Sequence, residues 1–329
     1  MLTTSRTPAR GEPVSPGLLF GCVFGLLLAV TAGLWTMWPG LGHSMNIRQV
    51  EPPSDDHYLA YDGGGNIEHQ VLYFGLDGEA IAHLRRADVL LLGNSRLMFA
   101  ARPGVLGRFF ESRGLRYYAL GFGFREADRF PLAIIEKFDL RPRYVVVNAD
   151  GFFSDSLSDA ATATVSDSHF GAWRKRWEAE ASHAVRRVLH QTVPNWIDLF
   201  GRAGFLWRRE VIGYRSRSNG TWEVYPWEPA SLAVEGRDMH LPPLNIRETE
   251  SALRFHAAMA ARGAELVLTF VPTPKPMAGG PALFAELLGV PLVTSHPFGL
   301  GSHDGDHLDH NSAVVWSESL VRELGRVIQ

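Results

Sequence analysis

Ala87-Asp88-Val89-Leu90-Leu91-Leu92-Gly93-Asn94-Ser95-Arg96 is the stretch on which the fold turns. Its apolar run has the length of a buried parallel strand and is too short for an ordinary helix. The run stops at Gly-Asn-Ser, where glycine permits a sharp turn and Asn and Ser favour a helix start. A strand that turns abruptly into a helix exposes the turn residue at the carboxyl edge of its sheet, where α/β proteins carry their chemistry. Ser95 is then either a nucleophile or the cap of the following helix.

Working outward, four more strands are expected at 117–120, 144–148, 266–271 and 291–294, after the first at 88–93. Helical patterns at 104–112, 126–138, 247–262 and 281–288 separate them, and a last helix at 311–327 closes the chain. Gly114, Gly263 and Gly289 stand where helices end. The alternation predicts an α/β protein: a flavodoxin-like, three-layer fold with about five parallel strands. An insertion at 151–243 lies between the third and fourth strands. It opens with a Ser/Asp/Ala/Thr-rich stretch at 154–168, expected to be a mobile loop. A helix at 173–190 follows, with Trp173, Trp177, Val185, Val188 and Leu189 on one face. Pro194 breaks it, and a second helical segment spans 196–211. Trp222, Tyr225 and Trp227 form an aromatic-rich loop that either stacks on sugar faces or packs the insertion on the core.

The chain has 329 residues, 46% of them hydrophobic, enough for a sizeable core. A net charge of −3 argues against a general electrostatic grip on nucleic acid. Cys22 is the single cysteine, so neither an internal disulfide nor a cysteine-based zinc site is available. Residues 1–16 are polar and carry Arg6 and Arg10; 18–38 are apolar without a charge, about the length of a membrane-crossing helix. Trp35 and Trp38 stand where an interfacial belt would, and Glu51, Asp55 and Asp56 follow. These features predict a cytoplasmic tail at 1–16, a single-pass membrane anchor at 17–38 and an extracytoplasmic body. The competing reading is a cleaved signal peptide, with Val30-Thr31-Ala32 as its processing site. A juxtamembrane linker at 39–80, with a strand at 70–74, then leads into a domain at 81–329.

The tail carries a second signal, His303-Asp304-Gly305-Asp306-His307-Leu308-Asp309-His310. It follows the fifth strand and so opens on the same sheet edge as Ser95. A serine hydroxyl is a weak nucleophile until a base takes its proton, and an imidazole suits that role near neutral pH. Asp304, three residues before His307, has the offset needed to orient the ring; Asp306 is the rival register. The same run could instead ligate a metal through His303, Asp304, Asp306, His307, Asp309 and His310, although neighbours on one loop rarely all converge. Arg96 either pairs with a carboxylate of the protein or substrate, or is a solvated first-turn residue.

Gly-Asn-Ser after a first strand, with Asp-x-x-His-Leu before a last helix, resembles the SGNH/GDSL hydrolase superfamily. It is more narrowly similar to the membrane-anchored periplasmic branch found with polysaccharide and teichoic-acid O-acylation systems. The resemblance implies Ser95 as nucleophile, His307 as general base and Asp304 as its orienting partner. Gly121 or Gly123, in Ala119-Leu120-Gly121-Phe122-Gly123, matches the glycine that donates its backbone N–H to the oxyanion. The third block is normally Gly-x-Asn; here Val147-Asn148-Ala149-Asp150-Gly151 departs from it, and either Asn148 or Asp150 takes that place. The resemblance implies no cofactor. It implies an acyl-enzyme reaction, often of acetyl esters, on an acylated envelope or secreted glycan or an acyl donor. Partners would be a membrane-bound acyltransferase or a polysaccharide synthase complex. The alternative is a catalytically weak scaffold or glycan-binding subunit of such a complex.

Overall fold

The computed structural model of the chain describes residues 24–26, 52–62, 67–192, 212–225, 232–234, 244–274, 280–295 and 297–329. The Leu-rich run forms β2 (Val89–Leu92), all four of whose residues are buried. β3 (Tyr117–Ala119), β4 (Tyr144–Asn148), β8 (Glu265–Phe270) and β9 (Leu292–Thr294) complete a five-stranded parallel sheet in the order β3-β2-β4-β8-β9. Numbered within that sheet, the order is 2-1-3-4-5, whose switch point lies between β2 and β4.

Alternate residues of the strands feed two separate cores. Leu90, Leu92, Val145, Val147, Leu266 and Leu268 join one; Val89, Leu91, Val146 and Val267 join the other. The first core is covered by α1 (Ile67–Phe74), α2 (Gly78–Arg85), α5 (Arg129–Lys137), α8 (Ile246–Ala260) and α9 (Pro281–Leu288). The second is covered by α3 (Ser95–Ala100), α4 (Pro103–Glu111) and α10 (His310–Leu324), the last burying Trp316, Leu320 and Leu324. Each such side chain stabilises by about 1.5–3 kcal/mol. A strand buried on both faces has no need of polar alternation, which is why β2, β3 and β4 read without one, whereas the edge strand β9 ends on exposed Thr294.

Three stretches fold differently from expectation. The strand expected at 70–74 is part of helix α1. Ile67 through Leu72 are all buried, so the segment lacks the one-sided pattern that marks a helix. Within the linker assigned to 39–80, residues 57–62 form β1 (His57–Asp62), 67–74 form α1 and 78–80 begin α2. Within 154–168, expected as a mobile loop, Ser158 caps α6 (Asp159–Val165) and accepts from the Ala161 N–H, and Ala161 and Thr164 are buried.

The insertion contributes α7 (His169–Thr192), on which Trp173 and Trp177 are 49% and 54% exposed and so do not form the expected packing face. The side chains of Val185, Val188 and Leu189 lie outside the described residues. Trp222 and Tyr225 belong to a strand rather than a loop: β5 (Ile212–Ser216) and β6 (Trp222–Tyr225) pair antiparallel with each other, and β5 with β1. The remaining strands are β7 (Leu232–Ala233) and β10 (Gly301–Ser302), which pair together. Apart from 24–26, the expected anchor at 17–38 lies outside the described residues, as do Pro194, the helical segment 196–211 and Trp227. Among the described residues no helix is long and apolar enough to cross a membrane.

Candidate active site

The turn after β2 is built by close backbone approach. A Cβ on Gly93 would stand 3.0 Å from Asn148 Cβ and 3.0 Å from Leu97 Cβ. One on Gly121 would stand 2.7 Å from Met98 Sδ and 2.9 Å from the Gly93 carbonyl oxygen, so only glycine fits there. Asn94 caps α3: its side-chain oxygen accepts from the Arg96 N–H at 3.0 Å, and its Nδ2 donates to the Asp150 carbonyl at 3.0 Å. Asn94, not Ser95, is therefore the cap, and Ser95 is the first residue of the helix, with its hydroxyl available for other partners.

The second half of the site is a tight loop between β10 and α10. The His303 N–H donates to the His307 carbonyl at 3.2 Å, and the Asp309 N–H to Gly301 at 3.0 Å. Asp309 then caps α10, accepting from the N–H groups of Asn311 and Ser312. Asp304 Oδ1 accepts from the N–H groups of Asp306 and His307, both at 2.8 Å. Its other oxygen, Oδ2, lies 2.7 Å from His307 Nδ1, and His307 Nε2 lies 2.8 Å from Ser95 Oγ. Two residues separated by 212 positions thus meet at hydrogen-bond distance, and the Asp-x-x-His offset places carboxylate and imidazole correctly on one turn. The Phe99 ring, one helical turn after Ser95, lies against the imidazole with centroids 4.5 Å apart and holds its plane.

Burial alone would raise the Asp304 carboxyl pKa. The hydrogen bond from His307, the His307 charge and the two backbone N–H groups outweigh it and hold the group well below the usual carboxylate range. Such a carboxylate accepts from Nδ1 and leaves Nε2 as the nitrogen that faces the serine. The series is chemically able to withdraw a proton from Ser95 and hand it on.

The remaining predicted residues separate. Gly123 lines the same cavity as Ser95, and neither residue's backbone N–H donates to an acceptor among the described residues. Gly121 packs beneath, and its carbonyl accepts from Arg215 at 3.1 Å. Asn148 is fully buried and its Oδ1 accepts from the Val271 N–H at 3.1 Å; it does not line the cavity. Asp150, 1% exposed, is ion-paired with Arg96, whose other terminal nitrogen donates to Asp306 Oδ1 at 2.8 Å. Arg96 is thus neither solvated nor turned to the cavity. It ties the turn after β4 to the histidine loop.

Of the six residues weighed as metal ligands, only His303, Asp304 and His307 bring ligand atoms within 4.8 Å of one another. Asp306 is committed to Arg96 and Asp309 to the helix cap. His307 already uses its two nitrogens on Asp304 and Ser95.

Several residues that matter, Trp222 apart, were not singled out in the sequence. Ser95 and His307 open into a cavity of about 260 Å³ whose wall is the β1–β5–β6 sheet, through Ala60, Tyr61, Gly213, Trp222 and Val224. At its base Glu68, 2% exposed, accepts from Trp222 Nε1 and from Arg215 Nη1, both at 2.8 Å. Burial works against the Arg215 charge; the Glu68 carboxylate, then the Tyr58 and Tyr118 hydroxyls, more than offset it and raise the guanidinium pKa. Arg215 also donates to the carbonyls of Ala119 and Gly121, so it holds the loop that carries Gly123. The one available signal was the polar run Glu68-His69-Gln70 set between Ile67 and the apolar Val71–Phe74.

No protein-family model matches this chain, and no curated protein does. Among solved structures, it is similar to a protein of Bacteroides fragilis NCTC 9343 described as a "putative acylhydrolase". The match is 13% identical, covers 76% of this chain and 94% of the other, and has a TM-score of 0.35.

Proposed function

We propose that the chain is an SGNH-type serine ester hydrolase or O-acyltransferase working through an acyl-enzyme. The observation that carries the reading is the hydrogen-bonded series Asp304–His307–Ser95 at the mouth of a cavity. Ser95 Oγ attacks the ester carbonyl carbon while His307 Nε2 takes its proton. The tetrahedral oxyanion is met by the backbone N–H groups of Ser95 and Gly123. The C–O bond to the alcohol breaks, and His307 returns the proton to the departing alkoxide. A second hydroxyl then attacks the acyl-enzyme: water makes the reaction a hydrolysis, a sugar hydroxyl an acyl transfer. A donor of this kind is worth about 10²–10³ in rate.

The flavodoxin-like strand order, the charge-free segment at 18–38 and the family resemblance support the wider reading. In it, the domain stands in the periplasm, held to the inner membrane by its N-terminal helix, with an acylated envelope glycan or an acyl donor as substrate and an O-acylation complex as partner. A second reading, a glycan-binding or scaffold subunit, is favoured by one observation: Asp150 is bound to Arg96 where the family's third block carries an oxyanion-donating Asn. Hydrolysis of p-nitrophenyl esters, lost in Ser95→Ala and His307→Ala, is the outcome expected of the enzyme. No turnover of esters, together with no acyl transfer to sugar hydroxyls, would leave the binding reading standing.

A further inference from the structure

We propose that the cavity beside Ser95 is an acyl-chain pocket, and that the ester it takes carries a medium-length apolar acyl group of about four to eight carbons rather than acetyl. The inference rests on Ser95 as nucleophile and adds the identity of its acyl group. A cavity of about 150 Å³ holds benzene; this one has about 260 Å³. The methyl of an acetyl group would leave most of it to water. Its lining is mostly apolar, through Ala60, Phe99, Gly213, Trp222 and Val224, and its polar members besides Glu68 are Ser95 and the residues of the histidine loop. Glu68, the buried carboxylate at its base, is already bound to Arg215 and Trp222. A sugar would demand several directed hydrogen bonds from such a surface; an alkyl chain asks only for apolar area.

Chemistry also decides which half of the ester enters. The acyl carbon becomes bonded to Ser95 Oγ, so its substituent must lie within a bond or two of that atom. The alcohol oxygen must instead face His307 Nε2, which protonates it. The apolar wall of the pocket is the β1–β5–β6 sheet, through Ala60, Gly213, Trp222 and Val224, and this is the surface offered to the acyl chain. One more observation points the same way. Phe124 and Arg125 have φ of 60° and 58°, a backbone region that non-glycine residues adopt only at a cost. That conformation sets the half-exposed Phe124 ring at the cavity, 5.8 Å from Tyr61.

The test compares kcat/KM of the full-length protein on p-nitrophenyl acetate, butyrate, hexanoate and octanoate, which share one leaving group. Each fully buried methylene is worth about fourfold, and because the pocket is partly open the expected gain from acetate to hexanoate is at least about tenfold. Gly213→Val places a side chain in the pocket; its Cβ meets only Tyr61 Cβ, at 3.5 Å, so the strand tolerates it. The hexanoate-to-acetate ratio should then fall at least about fivefold. In parallel, hexanoate and acetate are titrated calorimetrically into Ser95→Ala protein with and without Gly213→Val. Ester turnover with a flat or acetate-favouring profile overturns the acyl pocket while leaving Ser95 as nucleophile. No turnover, with hexanoate binding that Gly213→Val abolishes, overturns the esterase and keeps the pocket. Hexanoate binding no tighter than acetate overturns the pocket regardless of turnover.

Discussion

Replacing Arg215 by Met tests how the cavity and the Gly121–Gly123 loop are held. The Arg215 side chain is 0% exposed and that of its partner Glu68 3% exposed, so the substitution strands a buried carboxylate. Removing one member of a buried pair costs about 3–5 kcal/mol. Trp222 Nε1 still donates to Glu68, which places the electrostatic loss at the lower end. The carbonyls of Ala119 and Gly121 lose their donor, and each buried acceptor left unsatisfied adds about 1–3 kcal/mol if nothing replaces it. These terms overlap, and a destabilisation of about 4 kcal/mol is expected, a fall in Tm of about 6–8 °C. Urea unfolding followed by circular dichroism and by tryptophan fluorescence measures it. Glu68→Leu in the same chain should recover at least about 2 kcal/mol, because the stranded charge is gone. An Arg215→Met protein within about 1 kcal/mol of wild type, or a double variant no better than the single, would refute the assignment of a buried pair.

Asp150→Asn restores the family's asparagine in the third block, yet it should lower kcat/KM by about tenfold rather than raise it, since it weakens the hold on Arg96 and the turn beside Ser95. Esterase assays on both proteins decide this. Gly121→Ala should lower kcat by at least about tenfold, because its Cβ would collide with Met98 Sδ and the Gly93 carbonyl and displace the nucleophile turn; Gly123→Ala, which meets only the end of the Trp222 ring at 3.3 Å, should cost less. The depressed Asp304 pKa fixes a pH dependence. Its stabilising contribution is fully present above the unfolded value of about 3.9 and is lost as pH falls through the lower folded value. With Asp304 42% exposed, that contribution is screened and small. Asp304 therefore stays ionised down to about pH 4, and above that pH the acid limb of log kcat/KM should not exceed a slope of one; a slope of two would show that the carboxylate titrates there.

The central strands were legible because burial on both faces writes them as apolar runs, and the edge strand β9, with Thr294 exposed, was legible from its place in the alternation; none of the five was displaced by more than a residue or two. The Ser95 and Asp304/His307 placements were legible because each depends on a local turn and on strand order alone. The cavity wall was not. β1, β5 and β6 carry Arg215, Gly213 and the ring of Trp222 inward, and Arg215 is acceptable there only because Glu68 lies opposite, 147 residues away in sequence. Helix α1 was misread as a strand because α/β contacts bury it from several sides and erase its period. The roles of Asn148 and Asp150 were ambiguous for a related reason: the pairing of Asp150 with Arg96 is a tertiary fact that no spacing encodes.

The central claim is that Ser95 is activated by His307. Labelling the full-length protein with a fluorophosphonate probe and locating the adduct by peptide mass spectrometry tests it most directly. One label per chain on Ser95 is predicted, absent in Ser95→Ala and slowed at least about hundredfold in His307→Ala. No adduct on folded wild type, or labelling at Ser95 that proceeds unchanged without His307, would contradict it.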